Sequence, residues 1–349
     1  MVLQLCHRPT GATMSETSWP LALARSWHPI AYRSEVKKAP LAVVLMGRPL
    51  VVFETVGGVA VLEDRCPHRN VPLSAGRVVE SKIECPYHGW RFDAGGRCRY
   101  VAGSNLTANA SARSFSVHEH AGIVWTCLTD EETPFQGLPD VINDLTFDTF
   151  WWHLPSSTGA VDDAIENLLD PVHAYFLHPG LVRKASRACP VDVELRVNPA
   201  EAVARYTEPH QAMTLLQRLT EGRRSLSWGR YRPPTQVQIG FEDSQGLQAS
   251  ISVIFSPVDA NTTRPFAAFS TSRGVLPPFL KRLGLIAFHR KVLSQDLAML
   301  SLQSRQLSRF GGADYHQGPV DMFGPLIAHG LNAKPLPQGI RTFRLFEPV

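Results

Sequence analysis

Four side chains with ligand chemistry sit in two short loops: Cys66 and His68 in Cys66-Pro67-His68, and Cys85 and His88 in Cys85-Pro86-Tyr87-His88-Gly89-Trp90. Each loop offers one thiolate and one imidazole, a mixed donor set that suits zinc or an iron–sulfur cluster. A zinc ribbon usually repeats a single spacing. Here the spacing changes from Cys-x-His to Cys-x-x-His, so the two loops are not copies of one another. A second set lies far downstream. His173 and His178 are five residues apart, and Asp296 interrupts an apolar stripe of Leu285, Phe288, Val292 and Met299. Two imidazoles and one carboxylate on one face of a metal leave positions open for dioxygen.

Strands must position the first set. Ala42–Leu45, Leu50–Phe53 and Val59–Leu62 are short β-branched runs separated by Gly47-Arg48-Pro49 and by Gly57-Gly58. Ile123–Leu128 closes the all-β region. The ligand loops follow strands ending near Leu62 and Ile83, which makes them neighbours. The segment 1–18 reads as a loose polar tail, and Thr133 to Asp140 as a linker.

Helices must position the second set. The run from Ala160 to Leu177 reads as a helix with Asn167, Asp170 and His173 on one stripe. His178 then falls about 140° from His173 around an ideal helix. Both rings reach one metal only if the helix is distorted or ends between them. Pro171 removes a backbone bond there, and Pro179-Gly180 stops the helix after His178. Asp296 belongs to a long helix, about Leu283 to Arg309, where an unpaired buried carboxylate is strongly disfavoured. A metal would satisfy it. The competing carboxylates are Asp162, Asp163, Glu166 and Asp314. Strand candidates Gln236–Phe241, Gln248–Phe255 and Phe266–Thr271 add a sheet, giving an α+β region from about Phe150 onward.

The chain has 349 residues, 44% hydrophobic and 19% charged, with a net charge of +4. That length and composition suit two folded regions with real cores. Basic residues are scattered, which argues against a nucleic-acid binder. The apolar stretch Leu41–Phe53 is broken by Gly-Arg-Pro, so no membrane span is expected. The N-terminus lacks an apolar export core. Cys6, Cys98, Cys127 and Cys189 read as reduced thiols, so the expected location is cytoplasmic.

The asymmetric Cys-x-His and Cys-x-x-His loops resemble the Rieske [2Fe–2S] signature, in which two cysteines hold one iron and two histidines the other. Followed by Asn167-x-x-Asp170-x-x-His173-x4-His178 and a late Gln295-Asp296 helix, they resemble the catalytic α subunit of a Rieske non-haem iron oxygenase. Chain length resembles the vanillate O-demethylase and methylxanthine N-demethylase branch. Respiratory Rieske proteins carry an extra cysteine in each loop. Val71 and Tyr87 stand in the matching neighbourhoods here, which implies a low-potential centre.

The resemblance implies an all-β Rieske domain (19–135) and a helix-on-antiparallel-sheet, helix-grip catalytic domain (136–349). It implies that Cys66, His68, Cys85 and His88 bind the cluster, and that His173, His178 and Asp296 bind a mononuclear Fe(II). Asp170 would carry electrons to His173 from His88 of a neighbouring subunit, and the active form would be a homotrimer. NAD(P)H would act only indirectly, through a flavin/iron–sulfur reductase or ferredoxin, since no glycine-rich dinucleotide fingerprint is present. Arg65, Arg69, Lys82, Arg91, Arg97 and Arg99 crowd the cluster loops and could steer such a partner. The expected substrates are O2 and a small hydrophobic cyclic compound, hydroxylated or demethylated. The alternatives are a cis-dihydroxylating dioxygenase, a pure electron carrier or a zinc-bound structural protein. Asn70 departs from the glycine that many family members carry after Cys-x-His-Arg.

Overall fold

Apolar runs with turn residues between them build the first half of the chain almost entirely from strands. The computed structural model describes residues 19–131, 133–179, 181–182, 189–207 and 226–346. The 1–18 tail and Cys6 lie outside these. In chain order the first strands are β1 (His28–Tyr32), β2 (Leu41–Leu45), β3 (Arg48–Thr55), β4 (Gly58–Glu63), β5 (Arg77–Val79), β6 (Lys82–Glu84), β7 (Arg91–Phe92), β8 (Cys98–Tyr100), β9 (Ser114–His120) and β10 (Ile123–Cys127). They form a six-stranded antiparallel sheet ordered β1-β10-β9-β4-β3-β2 and a four-stranded sheet ordered β5-β6-β7-β8. The β2–β3 hairpin turns on Met46-Gly47, both at positive φ. Arg48 and Pro49 therefore open β3, where the sequence suggested a turn. Every residue of β10 is buried, as its unbroken apolar run requires.

The second half is one nine-stranded antiparallel sheet. Its strands are β11 (Phe147–His153), β12 (Ser157–Thr158), β13 (Val191–Val197), β14 (Ala202–Thr207), β15 (Leu226–Arg232), β16 (Gln236–Asp243), β17 (Gly246–Asp259), β18 (Thr262–Ser272) and β19 (Gly339–Leu345). The order is β11-β18-β17-β16-β15-β14-β13-β19, with β12 on β18. The three anticipated strands are β16, β17 and β18. Helix Val161–Leu169 packs on β15, β16 and β17, burying Val161, Ala164, Ile165 and Leu169. The result is the expected α+β arrangement of helices on an antiparallel sheet. Among the described residues no helix is long and apolar enough to cross a membrane.

Two helix expectations change. The run from Ala160 to Leu177 is not one helix: it ends at Leu169, Asp170 turns extended (φ −71°, ψ 117°), and His173–Leu177 forms a separate short helix. The residue before a proline is pushed out of helical geometry, which places the break at Asp170. The long helix runs Pro278–Phe310 and buries only Leu300. Its stripe does not sit in a core: Met299 is exposed, while Phe288, Val292 and Asp296 line a cavity.

Candidate metal centres

Both ligand loops close in the same way, and their difference lies in where each carries its histidine. The Cys66 amide donates to the Val71 carbonyl and the Cys85 amide to that of Trp90. Four residues after each cysteine, Asn70 and Gly89 donate back to the cysteine carbonyl from left-handed backbone, φ 61° and 66°. Asparagine is among the few non-glycine residues that tolerate this region. The Arg65 side chain also donates to Asn70 Oδ1 at 2.9 Å, so the departure from glycine fits the turn. Two six-residue loops of like geometry thus place histidine third in one and fourth in the other.

Cys66 and Cys85 are buried at the edge of a core formed by Val51, Phe53, Leu62, Leu73, Ile83 and Phe92. Burial, reinforced by the facing Cys85 thiol, pushes Cys66 up to about 11. The His68 and His88 rings lie 4.6 Å apart, and Trp90 stacks on His68 at 4.4 Å and 5°. Nδ1 of His68 is buried without a partner among the described residues. A pair of neighbouring thiols and a pair of neighbouring rings on matched loops, with an orphaned ring nitrogen, fit a cluster held by two cysteines and two histidines. Sequence reasoning missed Trp90 as the wall against which His68 is held.

The expected basic crowd is largely paired. Arg91 meets Glu84 at 2.7 Å, Arg99 meets Asp93 at 2.5 Å and Lys82 reaches Glu80 at 4.0 Å. Arg69 and Arg97 alone of the six have no protein partner for their side chains among the described residues.

The second set converges on one point. Ligand atoms of His173, His178 and Asp296 all lie within 4.8 Å of one another. Asp296 Oδ1 is 3.1 Å from His178 Nε2 and 3.6 Å from His173 Nε2. Each ring is turned by its other nitrogen. His173 Nδ1 donates to the Asp170 carbonyl at 2.6 Å, and His178 Nδ1 to Gln295 Oε1 at 3.0 Å. Both Nε2 atoms therefore carry lone pairs toward a carboxylate oxygen. Among the described residues His178 Nε2 and Asp296 Oδ1 are buried with no hydrogen-bond partner, and that arrangement fits a divalent cation. Burial opposes charge on His178, yet Asp296 and Gln295 raise its pKa above the usual imidazole value.

Asp170 differs in detail from expectation. Its backbone carbonyl, rather than its carboxylate, holds His173; the carboxylate accepts from the Val172 and His173 amides at 2.7 and 3.1 Å. That carboxylate is 40% exposed. It borders a polar cavity of about 370 Å³ together with Asp163, Glu166 and Asp314. Asp163 accepts from Tyr315 and Gln303, and among the described residues the metal-capable group includes none of the competing carboxylates. Gln295 adjoins Asp296 in sequence, but its role needed the fold to reveal it.

A cavity of about 210 Å³ opens over the three ligands, walled by Trp228, Phe241, Ile251, Phe288 and Val292. Phe255 and Phe269 do not line it and are buried core.

Two family models match successive parts of the chain. Residues 26–110 match the Rieske [2Fe-2S] domain, and residues 161–322 match the vanillate O-demethylase oxygenase C-terminal domain. The chain is 28% identical over 300 residues to methylxanthine N1-demethylase NdmA of Pseudomonas putida, covering 80% of this chain and 81% of that one. It is 33% identical over 162 residues to the oxygenase component of dicamba O-demethylase of Stenotrophomonas maltophilia, covering 44% and 47%. The structure of P. putida NdmA with caffeine superposes with a TM-score of 0.74 at 25% identity, covering 89% of this chain and 90% of that one.

Proposed function

This chain belongs to the Rieske non-haem iron oxygenases, and on that premise we propose that it is the terminal component of a demethylating monooxygenase. It is an oxidoreductase whose cofactors are a [2Fe–2S] cluster and a mononuclear Fe(II), and the relatives it resembles are oxygenase components of larger systems. The finer reading assigns the cluster to Cys66, His68, Cys85 and His88 in a domain of residues 19–135. It assigns the iron to His173, His178 and Asp296 in a domain of residues 136–349. The observation that carries it is the convergence of two Nε2 lone pairs and the Asp296 carboxylate beneath an apolar cavity.

When bound, the cluster supplies single electrons and the iron activates dioxygen. The chain's own residues do the rest. Asp170 Oδ1 and Oδ2 are pinned by backbone amides, which leaves lone pairs for a donor from outside. His88 is exposed, and no hydrogen bond or ion pair links it to Asp170 within one chain. A homotrimer in which Asp170 receives His88 of a second copy joins the two centres. The apolar walls exclude water and seat a cyclic substrate with a methyl group toward the ligands. One oxygen atom enters the methyl C–H bond. The other leaves as water, formed with two electrons drawn from NAD(P)H through a flavin/iron–sulfur reductase or ferredoxin and two protons, one from the NAD(P)H hydride and one from solvent. The hydroxymethyl product then breaks to formaldehyde and the demethylated compound. Free cysteines suit the cytoplasm, where such a reductase works.

Turnover with a surrogate reductase against methoxyaryl, N-methyl and polycyclic compounds tests this. Formaldehyde in step with substrate loss is the expected result; a cis-diol product would overturn it.

A further inference from the structure

Of the polar side chains that line the cavity over the iron ligands, one is an imidazole outside the proposed metal set. His289 lies seven residues before Asp296 on the helix Pro278–Phe310, two turns and about 10 Å away on nearly the same face. Its Nδ1 is 2.9 Å from the Leu285 carbonyl of its own helix. A carbonyl can only accept, so Nδ1 carries the hydrogen. Burial lowers the pKa of this imidazole, keeping it neutral. Its Nε2 is then a lone pair, and no protein group among the described residues bonds to it. The ring is fixed edge-on to Phe288 at 5.0 Å and against Phe269 at 4.7 Å, and the residue lines the cavity.

The surrounding walls are flat and fixed. The Trp228 indole lies over Gly240, its cross-strand neighbour, where an added Cβ would come within 2.1 Å of the ring. Glu242 accepts the indole N–H at 2.6 Å. No Lys or Arg among the described residues lines the cavity, whereas Asp170 and Asp296 do. A carboxylate-bearing compound finds no described counter-ion there. Near the metal end, the Tyr206 hydroxyl is buried without a partner among the described residues, and the residue is only 7% exposed.

We infer that His289 determines specificity in this cavity, selecting a neutral one- or two-ring aromatic compound whose N–H or O–H group donates to Nε2. The donor sits at the end of the molecule far from the reacting carbon, so the hydrogen bond sets which carbon meets the iron. The inference rests on the oxygenase reading only for the location of the reacting carbon; the recognition itself is a binding property. A site built to accept a hydrogen discriminates sharply against a compound lacking one, because its own acceptor is left unpaired.

The test is equilibrium binding to the iron- and cluster-loaded protein, kept oxidised and anaerobic so that nothing turns over. The probes are 2-naphthol, 2-methoxynaphthalene and 2-naphthoate, read by quenching of tryptophan fluorescence and by calorimetry. The expected result is tighter binding of 2-naphthol than of either other probe by about tenfold or more. His289→Phe should remove that preference while His289→Gln, which keeps an acceptor, retains most of it. Equal binding of the three probes, tighter binding of the naphthoate, binding of none, or an unchanged preference in His289→Phe overturns the inference. Cluster absorbance and iron content of the same samples report separately on the oxygenase reading.

Discussion

Gln295 accepts the Nδ1 hydrogen of His178 at 3.0 Å, so the adjacent residue on the same helix, Asp296, meets the opposite nitrogen of that ring as a lone pair. One helix turn thus supplies both a ligand and the group that sets the tautomer of another ligand. Gln295→Leu should weaken iron binding by about 10- to 100-fold, the usual penalty for losing an outer partner of a metal histidine. Competition with an iron chelator measures it, and the EPR signal of the reduced cluster should be unchanged. Loss of the cluster signal together with the iron would refute the assignment.

The carboxylate of Asp170 makes a different prediction, because the backbone carbonyl and not the side chain holds His173. Asp170→Asn should leave both metals bound. Reoxidation of a pre-reduced cluster in a single turnover should slow by about 10- to 100-fold. If iron content falls instead, the side chain is structural and the proposed electron path is wrong.

Much of this site was legible because ligand chemistry survives without coordinates: Cys66, His68, Cys85 and His88 are recognisable by type and spacing, and Asp296 by a carboxylate on an apolar stripe. What was hidden is set by contacts across the fold. Gln295 and Trp90 act through partners 117 and 22 residues away. The helix break at Asp170 was half visible in Pro171. The stripe on the long helix was misread because an apolar row facing a cavity has the same sequence pattern as one facing a core. Strands β11, β13, β14, β15 and β19 escaped for a related reason: charged residues such as Glu194, Arg196 and Arg205 lie on their outer faces.

The shared turn of the two ligand loops separates glycine from alanine at each end. At φ 61° and 66° a Cβ costs about 1–2 kcal/mol, and at Gly89 it would also meet Ala102 at 3.4 Å. Asn70→Gly should therefore hold its cluster about as well as the natural protein. Asn70→Ala and Gly89→Ala should bleach at lower temperature, followed by visible absorbance on a thermal ramp. Equal bleaching of all three variants would remove backbone strain as the cause.

Acid sensitivity has one source far from either metal. His28 is fully buried, donates from Nε2 to the Leu23 carbonyl at 2.7 Å, and is lowered to about 4 by burial. The unfolded chain protonates this ring near pH 6.5 while the folded chain does not, so the unfolded state binds more protons between those values. Stability then falls as pH drops through that window and is unaffected above it. Between pH 7 and pH 5 the natural protein should lose about 2 kcal/mol more than His28→Gln, measured by denaturant unfolding of both. A parallel decline of the two would place the acid sensitivity elsewhere.

Gly240 lies against Trp228, a residue of the cavity wall, and its substitution tests whether that wall is rigid. The indole of Trp228 covers it so closely that an added methyl would sit 2.1 Å from the ring. The backbone on either side is tied into the β15–β16 and β16–β17 ladders, so the ring must move rather than the strand. Movement breaks the 2.6 Å bond from Trp228 Nε1 to Glu242, which lies near the end of β16 and fixes the ring's tilt. Overpacking of this kind costs about 1–3 kcal/mol, and the displaced indole would intrude on the cavity over the iron ligands. Gly240→Ala should therefore lower the melting temperature, alter the near-UV circular dichroism of the tryptophans and weaken substrate binding, with iron content unchanged. Trp228→Phe on the same background should restore part of the stability, because a smaller ring leaves room for the methyl. If the double variant is no more stable than Gly240→Ala alone, contact between these two residues is not what holds the wall in place.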